Sequence, residues 1–449
     1  MQNVNDKKQL ITLFNKRKCN PKEIIGSKII NFYFSKIDED TLSFDEISPT
    51  ELPQILLSFI TMYEYYNDKK KWENNVKKIL AQLIKNIERG KYIRNISIFG
   101  GLSMIDLCLG KLLNIVPELL KLRTQIHSIF LEESNRFINF CLANLENLNF
   151  GMYDLVLGSS GIALNILLSN KITEHDYRIL KKLLLYFSIL SYKKYNKKFD
   201  AMIPRWTISQ ENQFREDEKI NFQYGNINYG VAHGMIGPLV IMSKCYFANI
   251  YDDLVKEPIS YICELYKEHN IKESNIFFWP TQQKMENYIV NNNIDNYRNR
   301  KSSWCYGNAG IAKALYQVGK LTGDEDLIEI SKTTLKGIAN QTLDEDNLNN
   351  VIICHGYAGL MLILNEFSKE IDDLEIKYKK DLLFEKITKS FKADSKYGFI
   401  SQDEIYENER WEIATSESLD ILEGSTGVIL AITNYFDKES DLCKILLMG

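Results

Sequence analysis

The sequence has no uninterrupted apolar run approaching the roughly 18–20 residues that a membrane-crossing helix needs. Nor does it carry an excess of positive charge. Its 55 Lys and Arg stand against 59 Asp and Glu, a net charge of −4, which argues against nucleic acid or an anionic membrane as partner. The start, MQNVNDKKQL, has neither an apolar stretch nor a cleavage signature, so no signal peptide is expected. Without an export signal, the eight cysteines read as reduced thiols, some of them metal-bound, and not as a disulfide framework. No linker or sustained low-complexity tract divides the chain. With 449 residues, 45% of them hydrophobic, there is enough apolar material for one large core, so residues 1–449 are expected to form one cytoplasmic globular domain.

What the sequence does have is a repeated step. Two glycines, spaced G-x-x-G, precede an apolar run in LGSSGIALNILL from Leu157, HGMIGPLVIM from His233, YGNAGIAKAL from Tyr306, HGYAGLMLIL from His355 and EGSTGVILAI from Glu423. FGGLSMIDLCL from Phe99 is a degenerate relative. The glycines suit a tight turn or a close backbone approach, and the Ala, Leu and Ile that follow suit a helix apolar on every side. Between the steps lie amphipathic segments such as KKWENNVKKILAQLIKNI from Lys70, with Val76, Ile79, Leu80, Leu83, Ile84 and Ile87 at helical spacing. Buried helices alternating with amphipathic ones predict an all-α fold, an α/α toroid with an inner and an outer helical ring. The step turns should gather at one end of it. Residues 196–229 break the pattern. They are polar, contain Pro204 and lack helical periodicity, so a small β-containing insertion is expected there.

Aligning the steps on their first glycine puts Val156, Ala232, Cys305, Cys354 and Leu422 at one position, two residues before it. Leu157, His233, Tyr306, His355 and Glu423 stand at the next. If the turns meet at one mouth, two thiols and two imidazoles meet there as well. Cys, Cys and His are a natural Zn²⁺ set, and three protein ligands with an open fourth position is the catalytic form. Cys305, Cys354 and His355 are therefore expected to hold one zinc, with water or a substrate thiolate in the fourth position. Cys108, Cys141, Cys245 and Cys263 read instead as small buried hydrophobes, and His127, His175 and His269 as surface or packing residues.

HGMIGP, WCYGNAG and CHGYAG, in their order along the chain, resemble the LanC-type lanthionine synthetase C family, the class I lanthipeptide cyclases. The resemblance runs from about Phe99 to LEGSTG near the end. It implies an α/α toroid with an SH2-like insertion, matching the segment at 196–229. The implied reaction is intramolecular Michael addition of a peptide cysteine to dehydroalanine or dehydrobutyrine, giving a lanthionine or methyllanthionine ring. The implied substrate is a dehydrated precursor peptide with its leader. A dehydratase and an ABC transporter are the implied partners, in an assembly that would bring the cyclase to the membrane periphery. No nucleic acid is involved.

The chemistry suits the residues. A free thiol is mostly protonated at neutral pH, and coordination to zinc deprotonates it. Addition leaves an enolate whose α-carbon needs a proton. His233, with Ala232 where Cys354 would be, is free to give it, and the family uses the matching His in this way. Asp154 falls where the family has an active-site Asp, and would orient His233 or tune its pKa. Four residues before the WCYG cysteine, where the family has Arg, stands Lys301; either it substitutes or a one-residue shift brings in Arg300. Trp304 and Tyr306 read as walls for the peptide or as core. Glu423 shares the mouth but has no assigned task. Two other readings stay open: a LanC-like enzyme adding glutathione to dehydroamino acids, and a non-catalytic scaffold stabilised by zinc. A toroidal glycosidase would need paired carboxylates and ranks below both.

Overall fold

The computed structural model describes residues 10–14, 19–38, 40–291, 300–407, 410–436 and 441–449. Among the described residues, seven buried helices close an inner ring: α2 (Leu52–Thr61), α4 (Leu102–Leu112), α6 (Ser159–Leu168), α9 (Ile236–Phe247), α12 (Asn308–Thr322), α14 (Tyr357–Ser368) and α16 (Ser425–Tyr435). Each packs on the next, and α16 returns to α2. Seven more wrap them: α1 (Pro21–Lys36), α3 (Lys69–Glu88), α5 (Leu120–Ala143), α7 (Glu174–Leu190), α10 (Asp252–Glu268), α13 (Glu325–Ala339) and α15 (Leu374–Lys389). The expected α/α toroid is thus the fold.

The two rings differ in sequence for physical reasons. On α3 one stripe, Val76, Ile79, Leu80 and Leu83, is buried, while Lys77 and Lys78 face solvent. Five outer helices carry a side-chain cap: Asn20 on α1, Asp68 on α3, Thr173 on α7, Asp324 on α13 and Asp373 on α15. The described inner helices have no such cap. On α14 nearly every residue from Tyr357 to Phe367 is buried, so burial on all sides replaces amphipathicity.

One inner helix escapes the repeat. α2 opens with TELPQILLSF and no glycine step, with Pro53 in its first turn. Its contribution to the mouth is a side chain: Gln54 accepts from the Ile421 N–H at 2.6 Å and donates to Asp420 at 2.8 Å.

The segment expected as an insertion holds β1 (Lys193–Asn196) paired antiparallel with β2 (Ala201–Pro204), then the short helix α8 (Glu216–Asn221) and β3 (Asn226–Asn228). β1 begins at Lys193, ahead of the expected edge, and β3 pairs with β6 (Gln282–Lys284), far outside it. Also not foreseen were β4 (Ile271–Glu273) with β5 (Ile276–Phe278), the helix α11 (Met285–Asn291), and the hairpin of β7 (Ser401–Glu407) with β8 (Arg410–Ser416) between α15 and α16. A last short helix, α17, spans Leu442–Ile445. Among the described residues, no helix is long and apolar enough to cross a membrane.

Candidate metal centre

The glycine steps build the mouth through one recurring turn. The first N–H groups of an α-helix lack intrahelical partners. Here they bond to carbonyls seven residues upstream: Ser160 to Tyr153, Asn308 to Lys301, Gly310 to Ser303, Tyr357 to Asn350, Ala358 to Val351 and Ser425 to Ser418. The preceding chain is thereby folded flat against the first helical turn. That leaves no room for a side chain at the second glycine. A Cβ on Gly310 would lie 2.0 Å from the Trp304 carbonyl oxygen, and one on Gly359 2.0 Å from that of Ile353. Close approach, and not a left-handed backbone, is what these glycines serve.

The turns are then tied to one another. The Ala232 N–H donates to Cys305 O at 3.3 Å, Cys305 N–H to Cys354 O at 3.0 Å, and Cys354 N–H to Leu422 O at 2.9 Å. Leu155 N–H extends the chain to Ala232 O at 3.2 Å. Ala232, Cys305, Cys354 and Leu422, each two places before a first glycine, are therefore consecutive links of a backbone hydrogen-bond belt, which Leu155, three places before Gly158, extends. The next residues, Leu157, His233, Tyr306, His355 and Glu423, are exposed or half-buried and face the mouth.

On this belt the Cys305 and Cys354 sulfurs and a His355 ring nitrogen all lie within 4.8 Å of one another. Both cysteines are free thiols. Zinc with bonds of about 2.3 Å to sulfur and about 2.0–2.1 Å to nitrogen needs tetrahedral ligand atoms about 3.5–3.8 Å apart, so the donor set fits a small closure of the cluster. Electrostatics already favour charge there. The Cys354 S–H, followed by His355, lowers the Cys305 thiol well below its usual value, while Cys354 is raised by Cys305 and by burial. Burial disfavours the His355 imidazolium, but Cys305 and Asp403 outweigh it and lift its pKa to about 9.

Next to it lies a second pair. His233 Nδ1 and Asp154 Oδ2 are 2.5 Å apart, with the carboxylate fully buried and the imidazole 26% exposed. Asp154 Oδ1 accepts the Leu157 N–H at 2.7 Å. Burial pushes the Asp154 carboxyl up, against the His233 bond. Burial pulls His233 down, but Asp154 reverses this and raises it. The imidazole is the better guide to the pair, because both Asp154 oxygens accept and only the ionised form satisfies that. The ring of Phe150 lies 4.8 Å from that of His233, tilted by 50°, and Tyr306 lies at 6.0 Å.

The sequence matches the family described as lanthionine synthetase C-like protein over residues 52–448. The chain belongs to that family. The nisin biosynthesis protein NisC of Lactococcus lactis subsp. lactis is 24% identical over 412 residues, 89% of this chain and 87% of that protein. A solved structure titled nisin cyclase superposes with a TM-score of 0.73 at 19% identity, covering 96% of this chain and 98% of that one. The resemblance read from WCYG, CHG and HG is thereby borne out, and the protein is an enzyme of the lanthionine synthetase C type.

Other residues of this LanC-type chain divide clearly. Arg300 is drawn to the β4–β5 hairpin, where its guanidinium pairs with Glu273 at 2.8 Å and lies over the Phe278 ring. Lys301, half-buried, belongs to the WCYG turn through its carbonyl, which accepts from Asn308. Trp304 is core: it is fully buried, and its indole donates to the Leu446 carbonyl at 2.9 Å. Tyr306 faces His233, and its hydroxyl accepts from Asn228. Cys108, Cys141, Cys245 and Cys263 are buried in the core. His175 is exposed, whereas His269 is buried against the Tyr229 hydroxyl. His127 bridges Asp106 and Asp176 between α4, α5 and α7, with Arg123 on Asp106 at 2.8 Å. Sequence reasoning missed Asp403, which lies 2.7 Å from His355. It stands on β7, outside every glycine step, so the register that located the other residues had no bearing on it.

Proposed function

We propose that this protein is a zinc-dependent lanthipeptide cyclase, joining peptide cysteines to dehydroalanine or dehydrobutyrine to form lanthionine or methyllanthionine rings. One observation carries the reading: the Cys305–Cys354–His355 cluster stands on the same hydrogen-bond belt as a histidine held by a buried carboxylate. Cys305, Cys354 and His355 would hold Zn²⁺. When bound there, the metal supplies the Lewis acidity that keeps a coordinated thiol ionised at neutral pH.

The chain's own residues supply the remaining steps. Formation of the C–S bond breaks the alkene π bond and leaves an enolate. His233, as imidazolium, gives a proton from Nε2 to the α-carbon while its Nδ1–H stays on Asp154. The thiol's proton is lost and one is returned at carbon, so the peptide closes its ring without change of mass. Lys301 is assigned the family's cationic position, where its charge offsets the enolate oxygen. The ring of Phe150 packs on that of His233, and the exposed Phe214 packs edge-on against Phe150. The substrate in this reading is a dehydrated precursor peptide. It arrives from a dehydratase and leaves through a transporter at the cytoplasmic side of the membrane.

The test is incubation of the protein with a dehydrated precursor peptide. Cyclisation consumes peptide thiols one for one with alkenes at constant mass. Adducts with added glutathione and no rings would replace this reading with the glutathione-adding one. Tight binding with neither product would replace it with the scaffold.

A further inference from the structure

Asp403 has no place in the metal cluster itself, which among the described residues consists of Cys305, Cys354 and His355. Its carboxylate instead meets His355. The Oδ1 atom lies 2.7 Å from Nε2, a hydrogen-bond distance at which the ring N–H donates and the carboxylate oxygen accepts. Nε2 is therefore the protonated nitrogen, and Nδ1 is the one left for a metal. An imidazole with two free nitrogens can present either to a cation and can turn about its χ angles. One whose Nε2–H is claimed by a fixed carboxylate can do neither.

The carboxylate is fixed by a built anchor. Asn350 is buried, 3% exposed, in the turn that leads into Cys354. Its amide donates to the Gln402 carbonyl at 2.7 Å and reaches Asp403 Oδ1 at 3.5 Å. Its own carbonyl accepts the Tyr357 N–H that starts α14. The turn bearing two of the three cluster residues thus also grips strand β7 one residue before Asp403. The hairpin, which is no part of either helical ring, is positioned to aim one side chain.

We infer that Asp403 is a positioning residue for the metal centre, accepting the His355 Nε2–H so that Nδ1 is presented to zinc. Metal-binding histidines commonly hold their second N–H in this way, and loss of such a partner costs about 10- to 100-fold in metal affinity. The inference rests on the zinc reading above, and the experiment separates the two. Zinc affinity of the full chain is measured by competition with a chromophoric chelator for the native protein, Asp403→Ala, Asp403→Asn and Thr415→Ala. Thr415, exposed on the opposite strand, controls for disturbance of the hairpin. Thermal unfolding of each metal-free variant controls for folding, and the visible spectrum of the cobalt-substituted proteins reports ligand geometry.

The expected result is a 10- to 100-fold weaker affinity for Asp403→Ala and a smaller loss for Asp403→Asn, whose amide oxygen still accepts. The cobalt bands of Asp403→Ala should shift, metal-free unfolding should be unchanged, and Thr415→Ala should bind as the native protein does. Native affinity and spectrum in both Asp403 variants would overturn the inference and leave the zinc reading standing. An equal loss in Thr415→Ala would overturn it by assigning the effect to the hairpin as a whole. No zinc binding by the native protein would overturn both.

Discussion

Replacing Asp154 by Asn should disable His233 by fixing its protons in the wrong places. Asp154 uses its two oxygens for two donors, the Leu157 N–H at 2.7 Å and the His233 Nδ1–H at 2.5 Å. Asn has one oxygen. If it stays on Leu157, the amide NH₂ faces Nδ1, which must then accept, and the doubly protonated imidazolium meets an N–H head-on. If the amide flips, the Leu157 N–H loses its partner. A hydrogen bond to a charged group contributes about 1.5–3 kcal/mol. Because Asp154 raises His233, its loss lowers the imidazolium pKa, and the alkaline limb of kcat/KM for cyclisation should move to lower pH. At neutral pH the rate should fall about 100- to 10,000-fold, the range for loss of a positioned acid, while zinc content stays at the native level. The assay is the pH–rate profile of ring formation by mass spectrometry after thiol alkylation. A native profile in Asp154→Asn would refute the argument.

Four further expectations rest on different parts of the molecule. The imidazole of His127 is disfavoured as a cation by burial, but Asp106 and Asp176 outweigh this and raise its pKa to about 9. Since the folded value exceeds the unfolded one, its contribution is fully present below about pH 6.5 and is lost as pH rises through about 9. The size is at most ~3 kcal/mol, and the lowered Asp176 reports the same interaction, not a second one. Chemical denaturation between pH 6 and 10 should show His127→Gln with a flatter stability profile than the native protein; parallel profiles would contradict this. Gly359→Ala, whose new Cβ would sit 2.0 Å from the Ile353 carbonyl oxygen, should cost about 1–3 kcal/mol and lower zinc occupancy by displacing the turn that carries Cys354. A native unfolding midpoint would show that this turn has slack. Arg300→Ala should leave cyclisation within about twofold, as its exposed pair with Glu273 contributes at most about 1 kcal/mol. Lys301→Ala should lower kcat with zinc retained and Lys301→Arg should restore it; the opposite ranking would move the cationic role to Arg300.

The legible part of this molecule was whatever repeats. The glycine steps announced inner helices because a turn that presses seven residues of chain against a helix start excludes a Cβ at Gly310 and Gly359. The register of Cys305 and Cys354 was informative because equivalent turns form one belt. What repeats did not mark stayed hidden. α2 enters the ring with Gln54 in place of a glycine turn, so five clear steps and a degenerate one pointed to six inner helices where seven close the circle. The β7–β8 hairpin and β4–β5 are single additions, and short strands carry no period of their own against a helical background. Asp403 was unreadable for the same reason. Its contact with His355 depends on an Asn350 amide catching the carbonyl of a residue 52 positions away.

The central claim is that Cys305, Cys354 and His355 hold one catalytic zinc. Metal analysis of the purified protein beside the Cys305→Ala/Cys354→Ala double variant tests it most directly. The account predicts one zinc per native chain and none in the variant, with the ring-forming activity lost in parallel. A native protein that is active without bound metal, or a double variant that keeps its zinc, would contradict it.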